Sequence, residues 1–178
     1  MPAGPSAHYL GAVLDSPIIL CDPMADVRSG PVPEHSGALS SVLVESDFRH
    51  FLLREVQRAT RYQDFLSLCL IRAQYSGAPG PDMPGALARR IAGMLRSADI
   101  VGTMGSDVGV LLVHTPQADA ARITERIREA IQAQPFEAGG NTRPIRISLT
   151  LGLASFPSDA TSPDVLLGHA QTRLEGAA

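Results

Sequence analysis

Apolar residues recur along this chain with two periods, and the periods alternate. Phe48, Phe51, Leu52, Val56, Ala59 and Tyr62 fall at helical spacing and give one apolar face. Ser46 and Asp47 stand just ahead of them, as residues that cap a helix start. Leu66 to Ile71 is an apolar run broken by one serine, which suits a buried central strand. A loop from Tyr75 to Pro84 follows, with Pro79-Gly80-Pro81 in its middle. A second helix then runs to about Arg96, with Leu87, Ile91, Met94 and Leu95 inward. Ile100 to Met104 and Val108 to Val113 read as two strands of a hairpin around the tight turn Gly105-Ser106.

A third helix is expected over roughly Ala118 to Gln134, with Ile123, Ile127 and Ile131 spaced by four. Ile145 to Leu153 alternates as a strand. The last helix begins with Ser162 as cap and Pro163 in its first turn, and is expected to bury Val165, Leu166, Ala170 and Leu174. The order is α-β-α-β-β-α-β-α. Its middle is a βαββαβ unit, an antiparallel sheet with helices on one face, and the class is α+β. Residues 1–40 are rich in Pro, Gly, Ala and Ser and read as a tail, with one short docking strand at Pro17-Ile18-Ile19-Leu20-Cys21. Residues 41–178 form the domain.

Composition narrows the function classes. The 178 residues are 44% hydrophobic and 19% charged, as in a soluble globular protein with a sizeable core. A net charge of −3 provides no field for nucleic acid or an anionic membrane. No apolar run is long enough to insert into a bilayer, and the start has no secretory pattern. Cys21 and Cys69 fit reduced thiols in a cytoplasmic protein. All 15 basic residues are arginine, so anion recognition rests on guanidinium groups and backbone amides. The five histidines have no zinc-ligand spacing, and no metal site is expected from them.

The stretch Arg96-Ser97-Ala98-Asp99, five residues, then Gly105-Ser106-Asp107-Val108-Gly109 resembles the signature region of GGDEF domains, the fold of bacterial diguanylate cyclases. In that family an R-x-x-D pair precedes the G-G-D/E-E-F turn by the same gap. Glu55 to Tyr62 followed by Leu66 to Leu68, Glu125 to Ile131, and Ile147 to Ala160 with its F-P-x-D-A exit extend the likeness over roughly residues 46–178. The resemblance implies a palm-like βαββαβ core with a central antiparallel sheet and flanking helices.

It also implies roles, residue by residue. The family's cyclases condense two GTP molecules with divalent metal held by oxygen ligands. One ligand position, just past the first strand, is Arg72 here, and the turn's fourth place is Val108. The family's base-reading and phosphate-binding segments are also altered. The chain is therefore expected to have no catalytic residues, no metal and no cofactor, and not to be an enzyme. Arg72 is a candidate partner for Asp107, its charge standing where the metal would be.

The family's inhibitory site, which takes the product cyclic di-GMP, matches at Arg96, Asp99 and Arg126. A guanidinium can donate two parallel hydrogen bonds to guanine O6 and N7 or grip a phosphate, and a carboxylate accepts from the guanine N1–H and amino group. The opposing structural roles are a cation at a helix end for Arg96 and bonds to nearby backbone amides for Asp99. The expectation is a cyclic di-GMP receptor that regulates a signalling partner protein and can pair into a homodimer around bound ligand. The alternative is an interaction adaptor of the same fold that binds no ligand.

Overall fold

The computed structural model describes residues 42–77, 82–136 and 144–177. The elements in order are α1 (Glu45–Tyr62), β1 (Leu66–Tyr75), α2 (Met83–Ala92), β2 (Ile100–Met104), β3 (Asp107–Val113), α3 (Gln117–Ala133), β4 (Ile147–Phe156) and α4 (Pro163–Gly176). The expected order and α+β class are as found. The tail with its docking strand, Cys21 and the Pro79-Gly80-Pro81 turn lie outside the described residues.

The four strands form one antiparallel sheet in the order β2-β3-β1-β4. Alternation along the strands divides the core in two. Cys69, Ile71, Val101, Val108, Val110 and Leu112 point to the face covered by α2 and α3. Leu66, Leu68, Leu70, Met104 and Leu111 point to the face covered by α1 and α4. The helices of the βαββαβ unit thus share one face, as the pattern implies, and the two outer helices close the other.

β4 spans Ile147–Phe156 rather than Ile145 to Leu153, with Ile145 bridged to Phe136 instead, and three further boundaries differ from the periodicity for identifiable reasons. α1 starts at Glu45, with Val44 at its cap position and no side-chain cap, ahead of the expected Ser46-Asp47. Leu43 is held extended beside β2, donating to Val101 O and accepting from Thr103 N at 2.9 Å each, and the helix begins as soon as that pairing ends. α2 ends at Ala92, short of Arg96. Its last turn tightens into i→i+3 bonds from Met94 N to Ile91 O and from Leu95 N to Ala92 O. β1 runs to Tyr75, past the apolar run, because its pairing with β4 continues to Tyr75 opposite Ile147.

Two residues assigned to apolar faces are exposed, Tyr62 at the end of α1 and Val165 in the first turn of α4. Ser162 caps α4 as expected, accepting from Val165 N at 3.3 Å.

The α1 face of the hairpin is shaped by a missing pair of side chains. Gly102 and Gly109 are directly opposite each other on β2 and β3. The fully buried ring of Phe48 fills the notch that they leave. A Cβ at Gly102 would lie 2.8 Å from that ring, and one at Gly109 2.7 Å from it. Gly152 does the same for α4: a Cβ there would meet the Ala170 carbonyl oxygen at 2.1 Å.

Candidate functional site

The β2–β3 hairpin carries the chemistry-bearing residues at its two ends. At the turn, Met104 pairs with Asp107 and the two central residues are Gly105 and Ser106. Gly105 has a φ of +61°, which a glycine at the first central position of a two-residue hairpin turn allows. Its N–H donates to Glu45 Oε2 at 3.1 Å. Glu45 is in turn held by Arg49, one helical turn on, with Nε and Nη2 at 3.0 and 2.9 Å from Oε1.

Arg72 does pair with Asp107. Nε donates to Oδ1 at 3.0 Å and Nη2 to Oδ2 at 2.8 Å, a two-pronged fork across β1 and β3. Asp107's hydrogen bond holds the guanidinium's pKa above its ordinary value, and the charge of Glu175 on α4 adds to this. The Asp107 side chain is 13% exposed and that of Arg72 38%, so the guanidinium lies on the solvent side of the carboxylate. Val108, next along β3, points the other way and is fully buried in the α2/α3 core.

A divalent cation needs free, hard oxygen donors. Both oxygens of Asp107 accept from Arg72, whose positive charge opposes a second cation at the lone pairs that remain. A carboxylate at position 108 would have to enter an apolar core at a large desolvation cost. As arranged, these residues do not fit the ion.

At the other end of the hairpin sit the predicted ligand residues. Arg96 and Asp99 come together in one turn between α2 and β2. Asp99 N donates to Arg96 O at 3.0 Å, and Asp99 Oδ2 accepts from Arg96 N at 3.1 Å. Asp99 Oδ1 accepts from Val113 N at 3.3 Å, which ties the turn to the end of β3. The carboxylate thus has the backbone-anchoring role that the sequence also allowed. Each oxygen retains acceptor capacity, since a carboxylate has about four lone-pair sites. Arg96 is not in the last turn of a helix, so its role there falls away. Its side chain is exposed, and no ion pair or hydrogen bond engages its guanidinium among the described residues. Arg126 is exposed on α3, and no hydrogen bond or ion pair joins it to the turn.

Other charged groups are structural clamps that sequence reasoning missed. Arg173 of α4 forks Asp159 (2.6 and 2.8 Å) and also donates to Leu153 O at 2.5 Å. The Arg173 hydrogen bond, against the effect of burial, keeps the Asp159 carboxyl below its ordinary value. Asp64, between α1 and β1, accepts from Phe65 N at 2.8 Å and Arg58 Nη1 at 3.1 Å, and pairs with His114. The F-P-x-D-A exit was a signal for Asp159, but its partner, 14 residues on, had none.

Comparison with known proteins decides the family. The sequence model of the family described as "Diguanylate cyclase, GGDEF domain" matches residues 85–178, just over half of the chain. The chain belongs to the GGDEF domain family. It is 31% identical over 150 residues to the diguanylate cyclase TpbB of Pseudomonas aeruginosa, a match that covers 79% of this chain and 34% of that protein. The chain thus spans about a third of the length of that relative.

The crystal structure of the GGDEF domain of PA1120 (YfiN or TpbB) from P. aeruginosa superposes with a TM-score of 0.68 at 28% identity, over 78% of this chain and 91% of that one. The GGDEF domain of DgcB from Caulobacter crescentus, solved in complex with c-di-GMP, shares the fold (TM-score 0.61, 13% identity, 79% and 85% covered).

These matches overturn the expectation that the chain is not an enzyme. The matching family model is that of the diguanylate cyclase domain, and TpbB is named as a cyclase. The physical reason is that a ligand count from a turn motif is a poor guide to turnover. A small divalent ion takes many of its oxygens from water and substrate phosphates, and one or two protein carboxylates suffice. Arg72 and Val108, at places where the resemblance implies ligands, therefore do not decide the matter. Among the described residues no helix is long and apolar enough to cross a membrane.

Proposed function

We propose that this GGDEF domain works in cyclic di-GMP signalling and takes the dinucleotide at the turn between α2 and β2. Arg96 would donate to a guanine edge or a phosphate, and Asp99 would accept from the guanine N1–H and amino group with its remaining lone pairs. Arg126 would add a second guanidinium from α3, and bound ligand would pass its effect to a protein partner or a second copy of the chain. The observation that carries this reading is the state of Arg96. Its guanidinium is exposed and unengaged among the described residues, on a turn whose backbone Asp99 fixes at both sides. A fixed turn costs little further ordering when a ligand arrives.

Thermal melting tests it. A ligand that binds the folded state raises the midpoint. Saturating cyclic di-GMP should raise it for the natural chain and not for Arg96→Ala. No shift in the natural chain would refute the reading and favour the adaptor.

A second reading rests on the family match over residues 85–178: the chain is a diguanylate cyclase, the activity that TpbB is named for, and would join two GTP molecules into cyclic di-GMP. Chromatography of a GTP reaction with magnesium or manganese tests it. Dinucleotide above the no-protein blank establishes the reaction, and its absence at high protein concentration removes this reading.

A further inference from the structure

The carboxylates at the hairpin turn share one property. Glu45, which holds Gly105 N–H, is paired with Arg49. Asp107 is forked by Arg72 through both of its oxygens. A guanidinium therefore already sits on each of these two carboxylates. The Arg72 fork is rigidly based, since the preceding residue Ile71 pairs with Val108 on one side and Arg72 itself pairs with Thr150 on the other. Its side chain is 38% exposed, so the guanidinium has water on its outer side.

We propose that Arg72 is a tethered counterion that holds Asp107 against divalent cations, so that an ion reaches this end of the sheet only by displacing the guanidinium. The physics is competition for one charge. With Arg72 in place, an incoming ion meets a carboxylate that is already neutralised and a positive group within hydrogen-bond distance of it. With Arg72 swung out, Asp107 is a free carboxylate, and the charge of Glu175, which already acts on Arg72, favours a cation there. The proposal concerns the turn end of the hairpin and is independent of the dinucleotide reading at the opposite end.

The test is manganese binding by the full chain, read by the electron paramagnetic resonance signal of free Mn2+, with melting in Mn2+ and in EDTA alongside. Arg72→Asp removes the tether and adds an oxygen donor. It should bind Mn2+ about tenfold more tightly than the natural chain, or better, given the strength of a single charge contact near a protein surface. Arg72→Gln, which keeps side-chain length and leaves the turn neutral, should bind more tightly than the natural chain by a smaller factor, and it serves if Arg72→Asp does not fold. Both gains should vanish when Asp107→Asn is added. Melting of the natural chain should be the same in Mn2+ and EDTA, and that of the variants higher in Mn2+. Equal Mn2+ affinity in the natural chain and both variants, or a gain that survives Asp107→Asn, would overturn the proposal.

Discussion

Phe48 lies over Gly109, and each explains the other. The ring comes from α1, is fully buried, and occupies the space that a side chain at position 109 would need. The fifth place of the family's turn motif is an aromatic residue in the resemblance and Gly109 here, on β3, and the aromatic ring of Phe48 from α1 covers it.

Adding a methyl group at Gly109 or Gly102 should therefore destabilise the fold through Phe48. Gly109→Ala should cost about 1–3 kcal/mol in urea unfolding, the range for overfilling a packed core. The cost should shrink in a Phe48→Leu background, and a double-mutant cycle measures the coupling. Additive costs would show that the ring is not what the new methyl group meets.

Gly152→Ala should be worse than either. The obstruction there is the Ala170 carbonyl in the backbone of α4, which cannot rotate aside as a side chain can. About 3 kcal/mol or more is expected, at the high end for overpacking, and circular dichroism melts would register it. A neutral Gly152→Ala would mean that α4 slides freely on β4.

The Asp159–Arg173 clamp predicts acid sensitivity with a definite sign. Arg173 lowers the folded-state pKa of Asp159 below the ordinary 3.8. Its contribution is then present above that ordinary value and is lost as pH falls through the depressed folded value. Asp64 is lowered as well: burial acts to raise its carboxyl, and the Phe65 N–H and Arg58 outweigh it. Stability should fall below about pH 4, and Asp159→Asn should flatten part of that fall while costing about 1.5–3 kcal/mol at neutral pH, the range for a hydrogen bond to a charged group. An unchanged pH profile in Asp159→Asn would show the clamp to be idle.

Cys69 should be chemically silent. It is fully buried on β1, and burial pushes its thiol up to about 12. In a Cys21→Ser background an aromatic disulfide reagent at pH 8 should react only after urea is added, because the thiolate is the reactive species. Rapid reaction of the folded chain would mean that β1 opens locally.

The sequence carried the element order because that order rests on local period. The 3.6 and 2.0 spacings, the Gly105-Ser106 turn and the Ser162-Pro163 start all act within a few residues. What it did not carry is long-range. The Phe48 notch joins residues 54 and more positions apart on different elements, and no spacing announces it. The Arg173 clamp has the same character. The end of α2 was missed because Met94 and Leu95 continue the apolar period after the backbone has left the helix. At the candidate site the pairing of Arg72 with Asp107 was legible from the motif, and so was the turn of Arg96 and Asp99. The place of Arg126 relative to them was not, because it depends on how α3 lies on the sheet. Enzyme class is not legible in the turn motif, because a changed ligand position does not by itself remove a reaction.

Asp99 and Arg96 should separate in their effects. Asp99→Ala removes the acceptor for two backbone N–H groups and should lower stability by about 1–3 kcal/mol, the cost of leaving such groups unpaired. Arg96→Ala removes an exposed side chain and should leave stability within about 0.5 kcal/mol. Equal losses in the two melts would show that Arg96 is part of the fold's own bonding.

Calorimetric titration of the chain with cyclic di-GMP addresses the central reading most directly. Saturable heat is expected for the natural chain, strongly weakened in Arg96→Ala although that variant is fully folded. Absence of heat in the natural chain, or unaltered affinity in Arg96→Ala, would contradict a ligand site at this turn.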